Sequence, residues 1–181
     1  MDNLVKDNIL ITIGRAKLYS ALFSAFYSLY KEEKVASESI EALKIFLPEI
    51  EEDINRITSE ETKNFRGYQY FDGLLKDVYP GIIEEFYLNY GFEIDELPPD
   101  HIITQLAFMS KLISDELRYR QHGDMETVVK LKIIQHRLLT THILKLLKEI
   151  EKLQNIYKLL NFDRGLLFME LKNEIGNIRT S

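Results

Sequence analysis

The chain halts and restarts at Leu97-Pro98-Pro99-Asp100-His101, and this stop, with the helical period beyond it, constrains the fold most. Two successive prolines fix φ and remove two N–H donors, so no helix runs through them. Beyond them Ile102, Leu106, Met109, Ile113 and Leu117 recur at helical spacing, which predicts a helix from about Asp100 with one buried face. The same period returns along the chain, with no alternating strand pattern. Four prolines and eight glycines are too few for the many turns of a sandwich or barrel. The expectation is an all-α fold of about nine helices, one compact domain over residues 1–181.

The opening helix is predicted from about Leu4 to Tyr30, with Leu18, Leu22, Ala25 and Leu29 in one row and Tyr19, Phe23, Phe26 and Tyr30 widening it. Ser37 or Ser39 opens a helix through Ile40, Leu43 and Phe46 that stops before Pro48. Residues 48–63 are acid-rich, with only Ile50, Ile54 and Ile57 apolar at helical spacing, and read as a solvated helix. Pro80 is placed as the first residue of a helix that ends near Tyr90, with Gly91 closing it. Asp124 is expected to cap the next helix. From Met125 to Leu160 the pattern is too long for one ordinary helix, so a break is expected near Thr140-Thr141.

Charge narrows the partners. Lys and Arg total 23 against 29 Asp and Glu, a net charge of −6, which disfavours nucleic acid and suits a basic peptide. With no cysteine there is no disulfide framework and no thiolate nucleophile or ligand. The uncharged run from Leu18 to Tyr30 is too short for a bilayer, so no membrane insertion and a cytoplasmic location are expected. None of His101, His122, His136 or His142 follows a Glu by three residues, so a di-iron bundle is not indicated. Phosphate-binding glycine loops and a Gly-x-Ser-x-Gly elbow are missing too, and the expectation is a binding protein without cofactor, metal or catalytic set.

The candidate site is the mouth of the helix after the prolines. Asp100 stands where an N-cap belongs, and His101 beside it is expected to be partly exposed. Helix punctuation alone accounts for such a pair. Recognition accounts for it as well, since a carboxylate at the mouth of an apolar groove pairs with an arginine and an imidazole hydrogen-bonds a peptide backbone. Upstream, Tyr68, Tyr70, Phe71 and Leu74 in an aromatic, glycine-broken stretch supply either a groove wall or core packing.

Pro99-Asp100-His101-Ile102 followed by Leu106-x-Phe108-Met109 resembles the signature of the TorD–DmsD–NarJ family, all-helical chaperones that mature molybdenum-dependent redox enzymes. Arg15-x-x-x-Tyr19-x-x-Leu22-Phe23 and Tyr90-Gly91-Phe92 are similar to further steps of that family. So is His142-Ile143-Leu144-x-Leu146, with Leu146 where the family has tryptophan. The chain lacks a Pro-Tyr-Glu-Ser type element near 65–73 and carries Gln105 where many members have glutamate. The resemblance implies a cytoplasmic chaperone that binds the twin-arginine type N-terminal leader of a molybdoenzyme catalytic subunit until cofactor insertion. It implies peptide contacts from Tyr70, Phe71, Leu74, Tyr90, Pro99, Asp100, His101, Gln105 and His142. It also implies a monomer or a homodimer that exchanges halves about a hinge at 92–99. A helical adaptor acting through oligomerisation and a small-ligand binder are the alternatives.

Overall fold

The computed structural model describes residues 3–94 and 96–180, and side chains within 8–176. Asp95, inside the expected hinge, lies outside the described residues. The helices are α1 (Asn3–Tyr30), α2 (Ser37–Lys44), α3 (Ile50–Asn55), α4 (Ser59–Lys63), α5 (Gly67–Tyr70), α6 (Gly73–Leu88), α7 (Ile102–Gln121), α8 (Met125–Leu138), α9 (Leu144–Glu149) and α10 (Gln154–Thr180). A π turn at Leu139–Ile143 joins α8 to α9 as one bent helix, which makes nine helices among the described residues. The fold is all-α. Its one extended pairing among those residues is an isolated antiparallel bridge between Arg66 and His101.

Helix α1 packs along α7, α7 along α8, and α8 along α10. The apolar rows read from the sequence are the rows that meet: Leu18, Tyr19, Leu22, Ala25 and Phe26 of α1 are buried, as are Ile102, Leu106, Met109 and Ile113 of α7. Burial of such rows, not intrinsic propensity, stabilises helices of this kind. Both long turns are closed by glycines in the left-handed region. Phe92 N–H bonds the Tyr87 carbonyl around Gly91, and Asp124 N–H bonds the Tyr119 carbonyl around Gly123.

Several boundaries differ from the sequence reading. Pro80 lies inside α6, not at its start, because Gly73, at φ 60°, already turns the chain into that helix. Residues 48–63 form two short helices whose isoleucines are buried, not one solvated helix. Ile50, Ile54 and Ile57 reach the core while Glu51 and Glu52 face water, Asp53 is buried and accepts from the Asn155 side chain at 2.9 Å, and a capping box of Thr58 and Glu61 starts α4. Asp124 does cap α8, accepting from Thr127 N–H. The break expected at Thr140-Thr141 is the π turn, where the Thr141 hydroxyl donates to the Arg137 carbonyl at 2.7 Å. Residues 8–30 of α1 are long and apolar enough to cross a bilayer by length and composition, with 44% of the most apolar window buried inside the fold. The run from Leu18 is too short by itself; the helix carries the apolar stretch back to Asn8.

Where α1, α7, α8 and α10 meet, the interior is polar. Lys132 donates to Glu170 at 2.9 Å and Glu174 at 3.1 Å, and Arg120 donates to Glu116 at 3.0 Å and Glu174 at 2.8 Å. Arg15 donates to Asp163 at 2.9 Å and to Gln135 at 2.7 Å, and the Tyr19 hydroxyl donates to Asp163 at 2.8 Å. Burial pushes the Glu170 carboxyl up. Burial would raise Glu116 too, but Lys132 and Arg15 outweigh it and hold it down. Such a network ties the helices in one register, since removing a single partner strands a buried charge.

Candidate functional site

At the mouth of α7 the cap is His101, not Asp100. His101 has extended backbone angles, and its Nδ1 accepts from the Ile103 N–H at 3.1 Å. Its other nitrogen, Nε2, then carries the hydrogen and donates to the Thr62 carbonyl at 2.9 Å. The ring is fully buried and stands edge-on to Tyr30. Burial pushes its pKa from 6.5 down to about 4, against the opposing pull of the Thr62 carbonyl, so the imidazole is neutral.

Asp100 is freed for a different task. Its Oδ1 accepts from Arg66 Nε at 3.1 Å and Nη2 at 2.9 Å, and its Oδ2 accepts from the Tyr68 N–H at 2.8 Å. Its carbonyl accepts from the Gly67 N–H, and the Phe65 carbonyl accepts from the Ile102 N–H. The carboxylate therefore caps α5 across the chain and pairs with an arginine of the same protein. Asp100 and His101 are both fully buried, which corrects the expectation of a partly exposed His101. Gly67 allows the close approach: a Cβ there would overlap the Tyr79 ring.

Beside this mouth opens a cleft of about 280 Å³. Phe23 and Tyr27 of α1 form one wall, Ile103, Thr104 and Ala107 of α7 another, and Phe92, Ile94 and Leu97 of the connector a third. Glu93 and Glu96 stand at its rim. Lys31 donates to Glu96 at 3.0 Å and holds its pKa down. Glu93 has no ion-pair partner among the described residues. The connector is itself tied down, since the Tyr87 hydroxyl donates to the Pro99 carbonyl at 3.0 Å and Thr104 to the Pro98 carbonyl at 2.9 Å.

The other residues singled out from the sequence fall elsewhere. Gln105 is buried under Asp100, donating to its carbonyl at 3.3 Å. Phe71, His142 and Tyr90 come together on a chain of rings: Phe71 meets Tyr79 at 4.7 Å, the Tyr79 hydroxyl bonds His142 Nδ1 at 3.0 Å, and Phe86 packs on His142 and Tyr90. Tyr70 is half-buried, and Leu74 is exposed at 79%, in line with Val78 and Ile82 on the outer face of α6. Thus Asp100, His101 and Gln105 build the frame of the α7 mouth, and His142 and Tyr90 border a second cleft against α6. Arg66, Tyr27, Glu93 and Glu96 are not among the sequence candidates. The acids of 93–96 carry a signal, a charge cluster beside two prolines, but nothing in the sequence pairs Arg66 with Asp100. No family model matches the chain.

Proposed function

We propose that this chain is a cytoplasmic leader-binding chaperone of the TorD type, acting by recognition and not by covalent chemistry. Its client is the twin-arginine type N-terminal leader of a molybdenum-containing oxidoreductase subunit. The observation that carries the reading is the cleft at the α7 mouth, an apolar floor with carboxylates at the rim. It suits an amphipathic segment whose apolar side chains enter while its arginines meet Glu93 and Glu96. On this reading Asp100 and His101 do not touch the leader. They hold the α7 mouth and the α5 segment in place so that the cleft is preformed. Titration calorimetry with such a leader peptide tests this. Binding at micromolar concentration is expected, weakened about tenfold by Glu93→Gln with Glu96→Gln and by replacing both leader arginines with glutamine. No saturable binding, or binding indifferent to both changes, refutes it.

A second reading, an adaptor working through self-association, is favoured by an apolar cleft of about 400 Å³ between α1 and α10, rimmed by Ile11, Ile45, Phe162 and Leu166. Ile45 is exposed at 76% and Phe162 at 67%, and large exposed apolar groups gathered in one place mark interaction sites. Sedimentation of the chain and of Phe162→Glu decides it: a dimer that the variant dissociates supports this reading. Exchange of halves about 92–99 would instead give a dimer unaffected by that change.

A further inference from the structure

The cleft bordered by His142 and Tyr90 is built differently from the leader cleft. Its volume is about 420 Å³, and it lies between α6 and the π turn. The α6 wall presents Glu85 and Asn89, one turn apart. The opposite wall presents Arg137, Thr141 and His142, and Phe86 lies at the floor. The Arg137 guanidinium lies 5.5 Å over the Phe86 ring. Neither Glu85 nor Arg137 has an ion-pair partner among the described residues, and the two do not pair with each other. Opposite charges thus face one small cavity from opposite walls.

His142 adds a directed polar group. It is 7% exposed, and Tyr79 holds its Nδ1. The Tyr79 phenol keeps its proton, because burial pushes its pKa up. In the tautomer whose Nδ1 accepts that proton, the imidazole carries its own hydrogen on Nε2, which has no partner in the described residues. Burial lowers the His142 pKa to about 4, helped by Arg137 and Lys145, so the ring is a neutral donor at pH 7. The π turn brings these groups to one wall, because its wider winding shifts His142 and Thr141 relative to Arg137.

We propose that the cleft between α6 and the π turn is a binding site for a small zwitterion, an α-amino acid with an apolar side chain. Arg137 and the His142 Nε2–H receive the carboxylate, Glu85 and the Asn89 side-chain carbonyl receive the ammonium, and the side chain rests on Phe86. An anion without the amine leaves Glu85 facing it, and an amine without the carboxylate meets Arg137, so only the zwitterion satisfies both walls.

Titration of the intact chain followed by amide NMR shifts tests this, with L-leucine, 4-methylpentanoate (no amine), isopentylamine (no carboxylate) and inorganic phosphate as probes. Leucine is expected to bind at least about tenfold more tightly than either single-charge probe or phosphate, as befits an added charge-assisted contact. Arg137→Gln should bring leucine down to the level of the amine, and Glu85→Gln to the level of the carboxylate. Both side chains lie at the surface end of the cleft, and thermal melts establish that each variant is folded. The proposal is overturned by no saturable shift with leucine up to about 10 mM. It is equally overturned by a single-charge probe or phosphate binding as tightly as leucine, or by leucine affinity unchanged in both folded variants.

Discussion

Asp100→Asn separates two accounts of the residue at the Pro-Pro stop. Were Asp100 an ordinary N-cap, asparagine would replace it for a few tenths of a kcal/mol, because both side chains cap well. In the structure the carboxylate does something asparagine cannot. Oδ1 accepts from two guanidinium nitrogens of Arg66 while Oδ2 accepts from the Tyr68 N–H, so every contact needs an acceptor. Asparagine supplies one oxygen and turns an NH2 toward donors. Breaking a buried pair costs about 3–5 kcal/mol, and the Arg66 side chain, 30% exposed, recovers part of that in water. The expected loss is therefore about 2–3 kcal/mol. For a chain of this length that corresponds to a Tm lower by roughly 4–12 °C. Urea unfolding with an unchanged m-value gives the number directly. Arg66→Gln and the double variant complete a cycle, in which a coupling above about 1 kcal/mol is expected. A loss below about 0.5 kcal/mol, or a coupling near zero, would sink the account of Asp100 as a cross-chain tie.

Acid should destabilise the protein over a defined window. His101 and His142 are held neutral with pKa values of about 4, below the 6.5 of an exposed histidine, so between those values the unfolded chain takes up protons the folded one refuses. Stability is full above pH 6.5 and falls as the pH drops toward 4, by up to roughly 3 kcal/mol per histidine. Urea titrations from pH 7 to pH 4 should show this, and His142→Gln should flatten part of the slope. Gly67→Ala should cost about 1–3 kcal/mol, because the added methyl overlaps the Tyr79 ring, which His142 and Phe71 keep from moving. A thermal melt unchanged by that substitution would mean the α5 segment shifts freely. Lys132→Met should cost about 3–5 kcal/mol by stranding Glu170, while Glu174 keeps Arg120, and adding Glu170→Met should restore part of it. Failure of the second change to rescue would show that the cation, not the pairing, matters.

Much of this architecture is legible from local pattern. The period of Leu18, Leu22, Ala25 on α1 and of Ile102, Leu106, Met109 on α7 announces a helix because a helix repeats every 3.6 residues whatever lies beside it. Glycine at 91 and 123, aspartate at 124 and the break near Thr141 act on neighbours a few residues away, so their roles are readable from the sequence alone. Pro80 departs from its expected place because the helix begins at Gly73, whose positive φ no sequence rule demands.

The candidate site is legible only as residue types. Asp100 is marked as important by the prolines before it, yet its partner is Arg66, 34 positions away, and its own neighbour His101 takes the cap. An N-cap and a cross-chain acceptor are alternative uses of the same carboxylate. Which one wins depends on whether a donor from another segment arrives within about 3 Å. Burial likewise turns His101 from an exposed recognition group into a neutral structural one, because Thr62 and Tyr30 close over it. The cleft with Glu93 and Glu96, and the cleft with Glu85 and Arg137, each join residues from separate helices or turns. Local periodicity determines that each helix has a buried face. Only the packing of those faces decides which polar groups are brought together, which are left without a partner, and where a ligand finds room.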